Sequence, residues 1–153
     1  MTIPKIILCR GIQGSGKSTW ARKWVLEDPE HRVRFNNDDV RNMLGRYWVP
    51  SREHIVNYIR AQMLVASMYC TKPFDIVVDN MNLNEEEVSR YKVLIETFNS
   101  SSFSDATNFK YELEYKDFFV PLEVCIERDS KRENPVGEEV IRATYEKYKH
   151  IIG

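Results

Sequence analysis

The stretch GIQGSGKST at residues 11–19 decides the fold, and it follows the short apolar run KIILC at residues 5–9. It satisfies the pattern G-x-x-x-x-G-K-S/T, in which a glycine-rich turn brings successive backbone N–H groups to phosphate oxygens. The lysine of this pattern reaches the β- and γ-phosphates, and the helix that follows directs its partly positive end at the same charge. An incidental tight turn would leave three glycines unexplained, so the stretch predicts a nucleotide-binding loop.

Within this loop, Lys17 is also a predicted catalytic residue, and the hydroxyl of Ser18 is a predicted Mg²⁺ ligand. Thr19 follows in the first turn of the expected helix. The predicted nucleotide-binding residues of the loop are therefore Gly11, Gln13, Gly14, Ser15, Gly16, Lys17, Ser18 and Thr19.

Size and composition indicate one domain over residues 1–153. Hydrophobic residues make up 42% of the chain, and no apolar stretch approaches the roughly 20 residues that a membrane helix needs. The N-terminal MTIPKIILCR lacks the long apolar region and the cleavage site of a signal peptide, so we expect a first strand there. Cys9, Cys70 and Cys125 are far apart, which favours buried thiols in a reducing cytoplasm over a metal or redox site. We therefore expect a cytoplasmic protein without a membrane partner.

The charge balance limits the kind of nucleic-acid contact that this chain can make. It carries 22 basic and 23 acidic residues, for a formal net charge of −1. A protein that follows a long stretch of nucleic acid through its phosphates usually has a basic excess. A nucleic-acid partner should therefore be contacted over a few nucleotides at a local basic pocket.

Apolar strands and amphipathic helices alternate along the chain, which predicts an α/β fold with a mainly parallel sheet flanked by helices. The strand candidates are KIILCR, RVRFN, DIVVDN and KYELEYKDFFV. In the longest helix candidate, residues 51–70, Ser51 is the expected N-cap. Ile55, Ile59, Met63 and Ala66 have helical spacing there, which supports the helix prediction. The serine- and asparagine-rich residues 98–108 predict a loop.

Two charged residues behind the second strand are candidates for the acceptor side of a transfer reaction. Asp38 lies where α/β sheets place ligand groups, and its carboxylate could accept a hydroxyl proton. Asp38 or Asp39 could equally be the N-cap of the following helix, and the sequence leaves both roles open. Arg41, one helical turn on, could clamp an acceptor phosphate or could pair with an aspartate on a solvated face.

Three further charged residues fit the donor side. Asp79 ends the apolar strand DIVVDN, the usual position of an acid that holds Mg²⁺ directly or through water, and burying an acid without a partner is costly. Arg128 and Arg132, in CIERDSKRENP, are spaced to share one helical face and to act with the following loop as a lid. The alternative is a solvated basic face paired with Glu127 and Asp129.

Together these motifs resemble the 5′-hydroxyl polynucleotide kinase family, in particular the kinase domain of its T-even phage member. The resemblance runs in order through KIILCRGIQGSGKSTWARKWV, FNNDDVRNML, VVDNMNLNEEE, VPLEVCIERDSKRENPV and VIRATYEKY, nearly the whole chain. It implies a P-loop kinase fold with a C-terminal lid, a requirement for ATP and Mg²⁺, and transfer of the γ-phosphate to 5′-OH ends of DNA or RNA in nucleic acid repair. A homo-oligomer and a separate ligase or phosphatase partner remain open expectations.

The resemblance also implies a role for each matching residue. Lys17 and Ser18 would hold the ATP phosphates and the metal, and Asp38 would be the general base for the 5′-hydroxyl. Arg41 would hold the phosphate on the 3′ side of the acceptor nucleoside. The implied lid residues are Arg132, on the transferring phosphate, and Arg128, on the nucleotide.

The sequence departs from the family pattern in two places. The phage member carries its acid one position later, where this chain has Asn80, and side chains of a strand alternate between faces, so Asp79 is not a simple substitute. Met81 also stands where a small hydroxyl residue is expected. No D-x-D-x-T motif of an end phosphatase is present in the sequence, so we expect no phosphatase activity from this chain.

Two other classes of function share the loop. A small-molecule P-loop kinase, acting on a sugar, nucleoside or metabolite hydroxyl, would have the same base and lid. A catalytically silent nucleotide-binding module would keep only the loop, and the sequence lacks the N-K-x-D motif of a guanine-specific switch. Tyr47, Trp48 and Tyr58 could stack a terminal base or could be ordinary packing aromatics.

Overall fold

The computed structural model describes residues 3–45 and 48–152, in which strands and helices alternate. The strands are β1 (Lys5–Arg10), β2 (Arg32–Phe35), β3 (Asp75–Val78) and β4 (Glu112–Asp117). The helices are α1 (Lys17–Glu27), α2 (Asn37–Met43), α3 (Glu53–Met68), α4 (Glu85–Asn99), α5 (Ser102–Thr107), α6 (Leu122–Ser130) and α7 (Glu138–Ile152). The predicted alternation is confirmed.

The four strands form one parallel sheet in the order β2-β3-β1-β4. The central strands β1 and β3 are apolar because helices cover both of their faces, as is usual for parallel sheets. On one face, Ile6 and Leu8 pack into the core shared with α3 and α4, whereas Cys9 and Val77 pack on the other face against Ala21 of α1. The predicted α/β class with a parallel sheet flanked by helices is therefore confirmed.

The region predicted as one helix over residues 51–70 begins differently. A 3-10 turn occupies Pro50–Arg52, so Ser51 lies inside that turn and is not an N-cap. The buried residues of α3 are Val56, Leu64 and Met68, whereas the residues noted for their helical spacing are exposed or partly exposed: Ile55, Ile59, Met63 and Ala66. The apolar residues of this helix are spread over most of its circumference, so their spacing alone could not show which face packs on the sheet.

The segment predicted as a loop over residues 98–108 is helical for most of its length. Helix α4 continues to Asn99, and the Ser101 hydroxyl accepts a hydrogen bond from the Ser104 N–H to begin α5. Asn108 ends that helix in a left-handed conformation, with φ of 61°. The serines and asparagines therefore act as helix caps, which is their other common role besides loops.

The cysteines also differ in part from the expectation of three buried thiols. Cys9 and Cys125 are fully buried, and Cys70 is partly exposed. Burial raises the pKa of the Cys9 thiol to about 12.

The parallel arrangement brings the carboxyl ends of all the strands to one edge of the sheet. The glycine-rich loop follows β1, Asn36 follows β2 and Asp79 follows β3. In open α/β sheets, ligands bind at this edge. Across residues 3–45 and 48–152, no helix has the length and apolar character needed to cross a membrane.

Candidate active site

The loop between β1 and α1 has the backbone geometry of a phosphate cradle. Gly14 has φ of 80°, and Gly16, the N-cap of α1, has φ of 98°. A Cβ on Gly14 would lie 2.4 Å from the carbonyl oxygen of Cys125 in α6. Helix α6 thus packs directly on the loop, and only glycine fits at this contact.

Lys17 fills the centre of this loop. Its Nζ donates to the carbonyl oxygens of Gly11 and Ile12, both at 2.8 Å, and to Ser15 Oγ at 3.3 Å. Burial lowers the pKa of Lys17 to about 8, and the negative charge of nearby Asp79 works in the opposite direction. The loop thus presents one buried cation whose contacts are all neutral oxygens, an arrangement suited to an anionic ligand.

A surface cavity of about 420 Å³ opens beside the loop. Trp20, which contributes to its lining, stacks on Trp24 with ring centroids 6.1 Å apart. The cavity is lined by Gly16, Thr19, Trp20, Lys23 and Arg128. An aromatic ring, two cations and loop backbone together suit a nucleoside base and its phosphates.

The Asp79 side chain is fully buried at the end of β3, and Arg34 of β2 holds one of its oxygens. Arg34 Nε donates to Asp79 Oδ2 at 2.8 Å, and Arg34 Nη1 donates to Asp39 Oδ2 at 3.0 Å. The other oxygen, Asp79 Oδ1, is buried without a hydrogen-bond partner among the described residues. An orphaned carboxylate oxygen beside the loop fits a Mg²⁺ site, since this ion commonly uses one or two carboxylates together with phosphate oxygens.

Asp79 and Asn80, the two residues that follow β3, have different neighbours. Asp79 influences Lys17 and Cys9 electrostatically, on the α1 side of the sheet. Asn80 contacts Asn37 on the opposite side, where its Oδ1 accepts the Asn37 backbone N–H at 2.9 Å. Asp79 is therefore the acid that shares a face with the phosphate loop.

Asp38 and Arg41 lie together on α2. The N-cap of this helix is Asn36, whose side chain accepts the Asp39 N–H at 2.8 Å, so neither aspartate has the capping role. Arg41 Nη1 donates to Asp38 Oδ1 at 2.6 Å, and its Nε and Nη2 donate to the two oxygens of Glu53. The Asp38 side chain is 78% exposed, and that of Arg41 is 21% exposed. The pairing of Arg41 with an aspartate is thus present in this structure, with Glu53 as a second partner.

Trp48 extends the surface around Arg41. The guanidinium carbon of Arg41 lies 4.9 Å from the centroid of the Trp48 ring, and Trp48 is 62% exposed. Tyr58 is also exposed, so neither aromatic belongs to the core. Tyr47, the third stacking candidate, lies outside the described residues.

Arg128 and Arg132, the two arginines predicted to act in a lid, occupy different environments. Arg128 lies in the last turn of α6, where its Nη1 is 3.5 Å from the Gly14 carbonyl oxygen. Helix α6 ends at Ser130, so Arg132 lies in the following loop, and the prediction of a shared helical face is wrong. Arg132 Nη1 contacts Asp129 Oδ1 at 3.5 Å, and its charge contributes to lowering the pKa of Lys17, after the larger effect of burial.

Asp129 organises the loop that carries Arg132. Its carboxylate is buried and accepts the backbone N–H groups of Val136 at 3.0 Å and Gly137 at 2.9 Å. An acid in the last turn of a helix opposes the helix dipole, which is a sign in the sequence that it has a specific partner.

The structure places the remaining loop residues as follows. Ser15 is buried, Ser18 is partly exposed in the first turn of α1, and Thr19 is exposed. Gln13 Nε2 donates to Thr144 Oγ1 of α7 at 3.4 Å, while Gln13 Oε1 is buried without a partner among the described residues. Helix α7 thereby contacts the loop as well.

Sequence reasoning missed Arg34, Glu53 and Arg60 at this edge of the sheet. For Arg34 a signal was available, because a charged residue inside a strand of a parallel sheet requires a buried partner. Glu53 and Arg60 lie on α3, whose contacts with α2 join residues 12 and 23 positions apart. No local pattern indicates such pairs.

Comparisons with known proteins identify the family and the fold of the chain. The family described as AAA domain matches residues 6–151. The chain belongs to this family. Among solved structures, a chain in the Pnkp1/Rnl/Hen1 RNA repair complex is similar, with 20% identity, a TM-score of 0.76 and coverage of 98% of this chain and 45% of that chain. This AAA-domain chain thus spans less than half the length of that chain.

Two small-molecule kinases also share the architecture. Shikimate kinase from Acinetobacter baumannii has 15% identity and a TM-score of 0.53, covering 99% of this chain and 79% of that chain. The APS kinase CysC from Mycobacterium tuberculosis has 18% identity and a TM-score of 0.51, covering 86% of this chain and 71% of that chain. The P-loop kinase fold predicted for this AAA-domain protein is confirmed.

Proposed function

We propose that the chain is an ATP- and Mg²⁺-dependent polynucleotide 5′-hydroxyl kinase that acts on DNA or RNA ends. The observation that carries this proposal is the open acceptor edge, where the Asp38 carboxylate is 78% exposed beside Arg41 and the exposed Trp48. A site for a small metabolite usually encloses most of its ligand. An exposed carboxylate beside a cation and an aromatic ring instead suits the end of a nucleic-acid strand. Such a strand brings phosphates for the cation and a nucleobase for the ring.

On the donor side, ATP would place its phosphates in the loop around Lys17 and its nucleoside in the cavity beside Trp20 and Arg128. The backbone of Gly11 to Ser18 would donate to the phosphates, and Lys17 would contact the β- and γ-phosphates. Mg²⁺ would be held by Ser18 and by Asp79, directly or through water, and when bound it would offset charge on the phosphate oxygens.

On the acceptor side, Asp38 would accept the proton of the 5′-hydroxyl as the oxygen bonds to the γ-phosphorus. The bond from that phosphorus to the β–γ bridging oxygen breaks, and ADP leaves with the electron pair. Arg132 and Lys17 would stabilise the charge of the transferring phosphoryl group, which is the main task of the protein in this chemistry.

The contacts of Arg41 set a condition for acceptor binding. All three of its nitrogens donate to carboxylates, and Glu53 takes two of them in a bidentate pair. An acceptor phosphate that replaces Asp38 on Nη1 would leave Arg41 held by Glu53. The same exchange would release the Asp38 carboxylate for the hydroxyl proton.

The test compares labelled-ATP transfer to oligonucleotides with 5′-OH ends and with 5′-phosphate ends. We expect transfer to the hydroxyl ends only, and a loss of about 10²- to 10⁴-fold in kcat for Asp38→Asn, as for other general bases. ATP binding by this variant should be retained. Asp105→Asn is the matched control, because Asp105 is exposed on α5, far from the sheet edge that carries the loop.

A small-molecule kinase is the second candidate, favoured by the fold shared with shikimate kinase. It predicts that hydroxylated metabolites, and not 5′-OH ends, stimulate ATP consumption. ATP binding by the wild-type protein without transfer to any acceptor would contradict both candidates and would favour a catalytically silent nucleotide-binding module. Full activity of Asp38→Asn would instead show that Asp38 is not the general base.

A further inference from the structure

A polar cluster that the proposed chemistry does not use lies where the segments after β2 and β3 meet α3 and α4. Its centre is Arg60 of α3, whose Nε donates to Asn37 Oδ1 at 2.7 Å and whose Nη1 donates to the Tyr91 hydroxyl at 2.5 Å. Asn37 in turn donates from Nδ2 to Asn57 Oδ1 at 3.0 Å and from its backbone N–H to Asn80 Oδ1 at 2.9 Å. The cluster therefore ties Arg60 to both segments that end at the ligand edge of the sheet.

The charge of Arg60 is not neutralised by its direct contacts. Both of its hydrogen-bond partners, Asn37 and Tyr91, are neutral, and within residues 3–45 and 48–152 no carboxylate forms an ion pair with it. This differs from Arg41, whose three nitrogens all contact carboxylates. A guanidinium has five N–H donors, and the described contacts engage two of those of Arg60.

Arg60 is connected through Asn37 to Asp38, the proposed general base of the acceptor site. Asn37, which holds its Nε, is the residue immediately before Asp38 in the first turn of α2. Arg60 is partly exposed, and it is held from two sides by Asn37 and by Tyr91. A planar guanidinium fixed in this way loses little freedom when its remaining donors bind phosphate oxygens.

We propose that Arg60 is a second phosphate-binding residue for the acceptor, contacting a backbone phosphate of the strand whose end lies at Asp38. This inference rests on the proposed function, since an acceptor with several phosphates is needed to engage both Arg41 and Arg60. It is consistent with a net charge of −1, because contact to a short strand needs few cations.

The experiment measures binding of a fluorescent single-stranded 5′-OH decanucleotide over a range of salt concentrations, without ATP. Each phosphate contact to a single strand contributes about 0.7 to the slope of log K against log salt. Arg60→Gln should lower the magnitude of the slope by about 0.7 and raise the KM for the oligonucleotide about tenfold, with the KM for ATP unchanged. Arg60→Lys, which keeps the charge, should keep the slope. Arg90→Gln is the matched control, because Arg90 is exposed on α4 and pairs with Glu86.

The possible results separate this inference from the proposed function. If Arg60→Gln lowers kcat for every acceptor and leaves the salt slope unchanged, Arg60 only supports Asn37 and Tyr91, and this inference is wrong while the kinase assignment stands. The same conclusion follows if Arg60→Lys lowers the magnitude of the salt slope and also lowers the thermal stability of the protein. If the wild-type protein neither binds nor phosphorylates 5′-OH oligonucleotides, both proposals are wrong.

Discussion

At the scale of single residues, the burial of Lys17 links nucleotide binding to pH. Its Nζ contacts three oxygens of the loop, and burial lowers its pKa to about 8. Bound phosphates would favour the charged form and raise this pKa again. Below pH 8 the free loop already carries the proton, whereas above pH 8 the proton has to be taken up when the nucleotide binds.

We therefore predict that ATP binding takes up close to one proton at pH 9 and almost none at pH 7. Above pH 8 the affinity should fall by up to about tenfold per pH unit, as for any binding coupled to one proton. Calorimetry in two buffers of different ionisation enthalpy measures this uptake. Lys17→Arg is the control, since a guanidinium stays charged throughout this range. Uptake that is equal at both pH values would contradict the low pKa of Lys17.

The sequence identified residues best where the chemistry is local. The loop from Gly11 to Ser18 is contiguous, so its pattern alone indicated a nucleotide site. Asp38 and Arg41 are one helical turn apart, and their contact follows from that spacing. The Arg34–Asp79 pair joins residues 45 positions apart, and such a contact becomes visible only when β2 and β3 lie side by side.

At the scale of elements, the proposed lid depends on how α6 joins α7. Gly14 packs against α6, and Asp129 holds the connecting loop through the N–H groups of Val136 and Gly137. Helical spacing predicted that Arg132 shares a helical face with Arg128, but it does not reveal that a buried carboxylate holds the chain after the helix ends at Ser130. The prediction of a serine-rich loop before β4 is wrong for a related reason. Serine and asparagine are common both in helix caps and in loops, so composition does not separate the two.

Asp129→Asn should lower kcat about 10- to 100-fold, because Arg132 loses its charged partner and shifts relative to the transferring phosphate. The KM for ATP should change little, since the loop around Lys17 is untouched. Steady-state kinetics at several ATP concentrations separate the two parameters. Glu127→Gln on the same helix is the matched control, because Glu127 is exposed and pairs with Lys131. An equal loss in both variants would assign the effect to the helix and not to Asp129.

At the scale of the whole molecule, the main core and the nucleotide loop occupy different regions. Phe98, fully buried on α4, packs edge-on against Tyr69 and Tyr111 at centroid distances of 4.9 and 5.1 Å. The loop lies at the carboxyl end of β1 and contacts α6 and α7. The sequence predicted the layers of this fold because alternating strands and helices allow few arrangements, but it could not assign the buried face of α3.

This separation predicts that core stability and nucleotide binding respond independently to mutation. Phe98→Ala should lower the free energy of unfolding by about 3–5 kcal/mol, the usual cost of a large core cavity. ATP at 100 times its Kd should still add about 2.7 kcal/mol, because the loop keeps its geometry. Lys17→Met should show the reverse, an intact core without the ATP increment. Urea unfolding with and without ATP and Mg²⁺ measures both quantities, and Phe98→Leu replaces the alanine variant if that variant does not fold. A reduced ATP increment in the Phe98 variants would show that the helices behind the sheet hold the phosphate loop in shape, and the two regions would then be coupled through β1.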